Sequence, residues 1–157
     1  MTQQKDQSDE HILSVPKFKQ FTISAPEMNK PYIHSLTQGR PNFIYIEHDG
    51  LKKFGLNYRD DQCPVLLNAD VFSLFKMFNR CIHKTSARTF QDWLADGRPY
   101  LIRWEELGSW GTVDENQNRF IIDFELLEGD CTFVHVYYVY ENHFLQSTEN
   151  ATKFTFA

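Results

Sequence analysis

The sequence predicts an α+β fold, in which a mostly antiparallel sheet of five to seven strands packs against one main helix (69–84) and one short helix (90–96). Two observations predict the sheet: Phe43–Tyr58 and Arg119–Tyr140 each contain two apolar runs that flank a pair of aspartate and glycine. The third observation predicts the main helix, because apolar residues in 69–84 recur at the three- and four-residue spacing of one helix face.

The length of 157 residues suits one folded domain, since typical domains contain roughly 100–150 residues. Hydrophobic residues make up 41% of the chain and aromatic residues 15%, a composition typical of a folded globular protein. The first fifteen residues are mostly polar. We therefore expect residues 1–15 to be a flexible polar tail and residues 16–157 to form a single α+β domain.

The first third of the folded part predicts a strand, a helical turn and a hairpin, in that order. Lys17–Ser24 alternates weakly between side-chain types and is a strand candidate. Tyr32–Gln38 is expected to form a short helical turn that ends at a glycine. Phe43–Tyr58 predicts a β-hairpin, because Asp49-Gly50 is a strong signal for a two-residue turn.

Capping residues mark the two helices. Asn68 can cap the free amides of the main helix, and Asp70 favours the positive end of its dipole. The apolar stripe of this helix comprises Val71, Leu74, Phe75, Phe78 and Ile82. Thr89 is the expected cap of the short helix, with Asp92 as the capping-box acid. A strand is then predicted for Tyr100–Glu105.

A second hairpin is predicted for Arg119–Tyr140, with Gly129-Asp130 as its two-residue connection. Alternation then assigns one set of side chains to the core: Phe120, Ile122, Phe124, Leu126, Phe133, His135, Tyr137 and Val139. The opposite set is expected to be half-buried or presented to a partner: Arg119, Ile121, Asp123, Glu125, Thr132, Val134, Val136, Tyr138 and Tyr140. A register error of one residue would exchange the two sets.

Charge and cysteine content narrow the location and the partners. The net charge is −5, and it is uneven, because residues 1–88 carry +3 and residues 89–157 carry −8. Contact with a polyanion would therefore have to use the first half. No apolar run approaches the roughly 20 residues that cross a bilayer, and three cysteines without close spacing favour free thiols over a disulfide framework. We expect a cytoplasmic protein that does not bind a membrane.

No motif in the sequence predicts catalysis, a metal or a cofactor. The glycines form no phosphate-binding loop, the serines lie in no nucleophile elbow, and the cysteines and histidines lack metal-ligand spacing. His135 stands out, because it falls within an apolar face, and we interpret it as a buried, neutral, structural histidine. A small-ligand-binding or hydrolytic domain with a cavity at His135 is kept as a second alternative.

The favoured function is non-catalytic recognition of another protein, of basic character. Asp123, Glu125, Tyr138 and Tyr140 fall on the half-buried face of the predicted hairpin. Aromatic residues bordered by charge are typical of interface centres. By size and charge alone, the chain is comparable with small acidic inhibitor and immunity proteins that neutralise a basic toxin or nuclease.

The first alternative function is binding of single-stranded nucleic acid through the basic first half of the chain. Basic residues interleaved with aromatic residues on a sheet are typical of stacking platforms. The candidate residues are Lys17, Lys19, Lys52, Lys53, Tyr58 and Arg59. The acidity of the whole chain ranks this function second. Neither the identity of a partner nor the oligomeric state follows from the sequence.

Overall fold

The fold is α+β, as the sequence predicts, and its sheets are antiparallel. The structure is a computed structural model that describes residues 18–112, 114 and 119–140; the tail expected at residues 1–15 lies outside them. The described residues form two four-stranded sheets. In spatial order, the first sheet contains β1 (Phe18–Ser24), β8 (Phe133–Val139), β3 (Phe43–His48) and β6 (Tyr100–Arg103). The second sheet contains β2 (Pro31–Leu36), β7 (Phe120–Gly129), β4 (Leu51–Tyr58) and β5 (Asp61–Gln62).

Both predicted hairpins are wrong, because the two strands of each one lie in different sheets. β3 pairs with β8 in the first sheet, and β4 pairs with β7 in the second. The segments 43–58 and 120–139 therefore run antiparallel beside each other, and both bend from one sheet into the other. The alternation identified the strands correctly, but the glycine and aspartate pairs lie at these bends and not in hairpin turns.

The two bends contact each other closely. The Asp49 carboxylate accepts hydrogen bonds from the Thr132 amide, at 2.8 Å, and from the Thr132 hydroxyl, and these bonds lower the pKa of Asp49. The Asp130 amide donates to the Gly50 carbonyl at 3.1 Å. A Cβ atom at Gly50 would lie 2.1 Å from the Asp130 carbonyl oxygen. Gly50 is therefore required by close backbone approach.

The same bend occurs between β1 and β2, which pair with β8 and β7 respectively. The helical turn expected at Tyr32–Gln38 is therefore wrong, because most of this segment belongs to β2. His34 lies opposite Ile122 in the register of β2 with β7, and this long-range pairing overrides the weak local helical preference. The strand expected at Lys17–Ser24 is confirmed over Phe18–Ser24.

Helical segments connect β5 to β7. They are α1 (Pro64–Leu67), α2 (Val71–Arg80), α3 (Phe90–Ala95) and the 3₁₀ segments Lys84–Ser86 and Trp104–Thr112, the latter interrupted at Gly108, whose backbone is not helical. The main helix is shorter than predicted, and its cap is Asp70, whose carboxylate accepts from the Ser73 amide at 2.7 Å. The short helix is confirmed, with the Thr89 hydroxyl accepting from the Asp92 amide at 3.1 Å. Within the described residues, no helix has the length and apolarity to cross a bilayer.

The core contains one face of β7 and one of β8, whereas β3 is buried on both faces over residues 43–46. The core face predicted for β7 is confirmed, and its members are fully buried: Phe120, Ile122, Phe124 and Leu126. The face predicted for β8 is largely reversed, since Val134, Val136 and Tyr138 are buried while Phe133, His135 and Tyr137 are half-buried. The reason is that β8 does not fold back on β7, so the side that it buries is set by its pairing with β1 and β3.

The three cysteines are free thiols, as the sequence predicts. Cys63 and Cys81 are buried and Cys131 is half-buried. Burial raises the pKa of the Cys81 thiol to about 12, so this thiol is protonated at neutral pH and inert as a nucleophile.

Candidate functional site

Two exposed isoleucines lie side by side on the solvent side of the second sheet. Ile33 of β2 is 73% exposed and Ile121 of β7 is 51% exposed. The register places Ile33 opposite Asp123 and Ser35 opposite Ile121, so the two isoleucines are diagonal neighbours on one face. We call this surface the outer face, and it comprises Ile33, Ser35, Asn57, Ile121, Asp123 and Glu125.

Two carboxylates border the isoleucines. Asp123 and Glu125 are half-buried on the same side of β7, and neither forms an ion pair with another described residue. The Asn57 amide donates to Glu125 Oε2 at 3.3 Å. The position of β4 opposite Glu125 is Gly55, where a Cβ atom would lie 3.1 Å from Gln62 Nε2. The face therefore presents two carboxylates without an ion pair to a described residue, and its Ile121 and Asp123 also line a pocket of about 320 Å³ together with Arg59 and Arg119.

Tyr138 does not belong to the outer face, so the prediction that it is half-buried or presented to a partner is wrong. Its ring is fully buried, its hydroxyl lies 2.7 Å from His34 Nδ1, and burial raises its pKa well above the usual range. Tyr140 is half-buried at the end of the first sheet, where its hydroxyl donates to the Gly39 carbonyl at 2.9 Å. Of the four predicted partner-binding residues, only Asp123 and Glu125 come together.

Sequence reasoning missed both isoleucines as site residues. The sequence places Ile121 on the same face as Asp123, where the tyrosines are the expected anchors. The helical turn expected at Tyr32–Gln38 conceals the position of Ile33 on a strand. The available signal was that Pro31–Leu36 is a plausible strand with isoleucine and serine on one side.

The residues predicted to bind nucleic acid do not form one surface. Lys17 lies outside the described residues, and Lys19 is exposed on β1 in the first sheet. Lys52 and Lys53 lie at the start of β4. Arg59 follows the other end of that strand, where its guanidinium lies 3.2 Å from the Asp114 carboxylate. The candidate cations are therefore divided among three places.

The aromatic residues near those cations in the sequence are mostly core residues. Tyr45, Phe54 and Tyr58 are all buried. The Tyr58 hydroxyl donates to Asp114 Oδ2 at 2.6 Å, and this bond raises the pKa of Tyr58. Buried rings cannot stack on bases, so these three rings form no stacking platform.

A concavity lies at the start of β4, and we call it the basic groove. Its volume is about 730 Å³. Three cations line it, Lys52 and Lys53 from β4 and Arg98 from the connection between α3 and β6. Its remaining lining residues are Leu67, Asn68, Ala69, Asp70, Val71, Phe90, Leu94 and Glu128. The groove therefore combines positive charge with apolar walls.

His135 is half-buried, so the prediction that it is a buried core histidine is wrong. Its Nδ1 lies 3.1 Å from the Thr22 hydroxyl. It lines a pocket of about 200 Å³ together with Glu47 and Asp96, among others. Glu47 lies directly opposite His135 in the register of β3 with β8. A histidine and a carboxylate therefore lie beside each other at a small cavity.

The buried histidines are His34 and His48. The ring of His34 stacks on Phe21 with 3.8 Å between centroids, and burial lowers its pKa to about 3. His48 accepts from the Leu51 amide through Nδ1 and donates to the Arg98 carbonyl through Nε2. Burial lowers the pKa of His48 to about 4. Both are neutral structural groups, the role that sequence reasoning gave to His135.

No cluster of three or more histidine, cysteine, aspartate or glutamate side chains that could hold a metal ion occurs in the described part of the chain. Comparison with protein-family models, with curated proteins and with solved structures finds no match for this chain. The outer face, the basic groove and the His135 pocket are therefore the features from which a function is inferred.

Proposed function

We propose that this protein is a non-catalytic recognition module that acts in the cytoplasm and binds a basic protein through its outer face. The observation that supports the proposal is that Ile33 and Ile121 are neighbouring exposed side chains. They lie beside Asp123 and Glu125 on one face of the sheet. Burying an exposed isoleucine in an interface stabilises a complex by up to about 1.5–3 kcal/mol. The pair can thus anchor a partner while the carboxylates select its charge.

Electrostatics support a basic partner. Asp123 and Glu125 have no ion pair within the described residues, so they are available to lysine or arginine side chains. The net charge of −5 attracts a basic protein from a distance and raises its association rate. An inhibitor or immunity protein of a basic toxin or nuclease is the kind of module that fits these properties. Three free thiols favour a reducing compartment such as the cytoplasm.

Affinity purification from the source cells tests this function. Three tagged variants are compared with the wild type: I33S/I121S, D123K/E125K, and the control E27K/E105K, which makes the same charge change at two other exposed acids. We expect a basic protein to be retained by the wild type and the control and lost from both outer-face variants. Equal retention by all four proteins would show that the outer face is not the binding site.

The nucleic-acid alternative has less support, because its cations are scattered and three of its rings are buried. Binding to a single-stranded oligonucleotide at low salt checks it directly. We expect no binding that depends on Lys19 or Arg59. Loss of binding in both K19E and R59E would favour the nucleic-acid function over recognition of a protein.

The His135 pocket favours a second candidate function, binding or hydrolysis of a small ligand. His135 is the candidate general base toward a water molecule in this pocket, with the Thr22 hydroxyl positioning its ring through Nδ1. A panel of ester and phosphoester substrates, assayed with the wild type and with H135Q, tests this candidate. Hydrolysis that H135Q abolishes while its unfolding transition stays unchanged would support it. Equal rates in both proteins would eliminate it.

A further inference from the structure

We propose that the basic groove binds a short acidic peptide segment that carries aliphatic side chains. This is a second binding site, separate from the outer face and opposite to it in charge. The three cations that line the groove, Lys52, Lys53 and Arg98, form no ion pair with any described residue. Like charges that share a groove repel one another, and a bound anion relieves that repulsion.

An irregularity in the sheet brings both lysines to the groove. Adjacent residues of a regular strand point to opposite sides. The pairing of β4 with β7 shifts register between Leu51 and Lys53 and again between Lys53 and Phe54. Such bulges redirect side chains, and they often occur beside binding sites. Here the shift lets Lys52 and Lys53 line the same concavity.

Hydrogen bonds hold Arg98 in place from two sides. Its carbonyl accepts from His48 Nε2 at 2.8 Å, and its Nη2 donates to the Leu51 carbonyl at 3.1 Å. A guanidinium has five N–H donors, so further donors remain to bind a carboxylate. Because its position is already fixed, Arg98 loses little conformational freedom when a ligand binds.

The walls of the groove select an aliphatic ligand. Leu67 and Val71 are exposed there, at 37% and 39%, and Phe90 and Leu94 are half-buried beside them. The exposed Phe72 packs on Phe90 with 5.5 Å between ring centroids, which extends the apolar rim. Apolar side chains exposed next to unpaired cations complement a peptide that alternates carboxylates with leucine or isoleucine.

Two carboxylates, those of Asp70 and Glu128, also line the groove, and they restrict where the carboxylates of a bound peptide can lie. Asp70 is occupied, because it caps α2 through the Ser73 amide, and that bond lowers its pKa. Glu128 is exposed, and it lies opposite Lys53 in the register of β4 with β7. Both would repel an anion placed against them. A free phosphate or a nucleic-acid backbone is disfavoured, since the capping bond takes the Ser73 amide and the walls are mainly aliphatic.

Fluorescence anisotropy with labelled peptides tests the proposal. The probe is the acidic peptide DELLEDLL, and the matched peptide DESSEDSS keeps its charges but removes the leucines. We expect the leucine peptide to bind the wild type and the serine peptide to bind at least about tenfold more weakly. No binding of the leucine peptide, or equal affinity for the two peptides, would overturn the proposal.

Protein variants locate the site. K52E/K53E and L67S/V71S should each weaken binding of the leucine peptide by about tenfold or more. The control K19E/K84E makes the same charge change at two exposed lysines elsewhere and should bind like the wild type. Because D123K/E125K leaves the groove intact, it should also bind the peptide normally. Equal binding by K52E/K53E and the wild type would overturn the assignment. So would tighter binding of oligothymidine than of the peptide.

Discussion

The outer face and the basic groove both expose aliphatic side chains, but their charges and shapes differ. The outer face is an exposed strand surface with two carboxylates, part of which borders a pocket that Arg59 and Arg119 also line, and the groove is a concavity lined by three cations and two acids. Both are built partly on β4 and β7, which pair in the second sheet, and the outer face also includes β2. The comparison teaches that one sheet can present two chemically different surfaces, one on the regular pairing of β2 with β7 and one at the bulge of β4.

Truncation of the core beneath the outer face should have the largest effect. Phe124 lies between Asp123 and Glu125 in the sequence. Its side chain is fully buried, and its ring packs on Phe54 and His34. F124A should lower the free energy of unfolding by about 3–5 kcal/mol, as measured by denaturant titration. The control I33A should change it by less than about 0.5 kcal/mol. A large loss in I33A would mean that Ile33 serves folding and not binding.

Substitution of Gly50 at the bend should lower the stability of the fold on which both surfaces lie. A Cβ atom at Gly50 would meet the Asp130 backbone at 2.1 Å, so G50A should cost about 3 kcal/mol of unfolding free energy. At Gly97 nothing lies within 4 Å and only the positive φ of +96° opposes a side chain, so G97A should cost about 1–2 kcal/mol. A G50A protein as stable as the wild type would contradict the close approach of the two bends.

Acidification should destabilise the protein through one histidine under each surface. His34 lies in β2 behind Ile33, and His48 bonds to Arg98 of the groove. Their folded pKa values, about 3 and about 4, lie below the usual 6.5, so the unfolded chain binds protons first as pH falls. The contribution of each neutral histidine to the free energy of unfolding is therefore fully present above pH 6.5 and is lost as the pH falls toward 4. Between pH 7 and pH 5 the loss is about 2 kcal/mol per histidine.

Denaturant titrations at pH 7 and pH 5 check this prediction with the variants H34Q and H48Q. Each variant should lose about half of the histidine-dependent difference between the two pH values. If H48Q keeps the full pH dependence of the wild type, then burial does not hold His48 neutral. The same result for H34Q would contradict the burial of that ring between Phe21 and Phe124.

Exchange of surface charge should have the smallest effect on free energy and should separate the two sites most clearly. Each rim charge contributes about 0.2–1 kcal/mol to binding, and salt screens it. D123K/E125K should weaken a basic partner but not the acidic peptide, and K52E/K53E should do the reverse. Affinities measured at low and high salt for both ligands check this. If each variant weakened both ligands equally, the two surfaces would be parts of one site.

Much of the secondary structure followed from local sequence patterns. The positions of the long strands, the buried face of β7 and the Thr89 cap of α3 were all predicted correctly. These features depend on a period of two residues or on a cap three residues away. The physical interactions that create them lie within a few residues of each other, so the sequence shows them directly.

The candidate sites were predicted less well, because exposure depends on distant contacts. Asp123 and Glu125 were placed on the solvent side correctly, but Tyr138 was not, since its neighbour His34 lies 104 residues away in the chain. The basic groove was missed as a whole. It joins the start of β4 to α3, and only the folded structure brings Lys53 and Arg98 to one concavity.

The sequence by itself determined most of the strands and the helices α2 and α3, since hydrophobic period and capping are local properties, but it missed β2, whose pairing with β7 is long-range. Only the tertiary structure decided that the two strands of each predicted hairpin join different sheets. An aspartate next to glycine permits either a tight turn or a close approach of two bends, and the Asp49 to Thr132 hydrogen bonds select the second. With the two sheets formed in this way, β8 pairs with β1 and β3 and buries Tyr138, while β2 pairs with β7 and places the exposed Ile33 beside Ile121, because the pairing and register of a strand decide which of its two faces is covered.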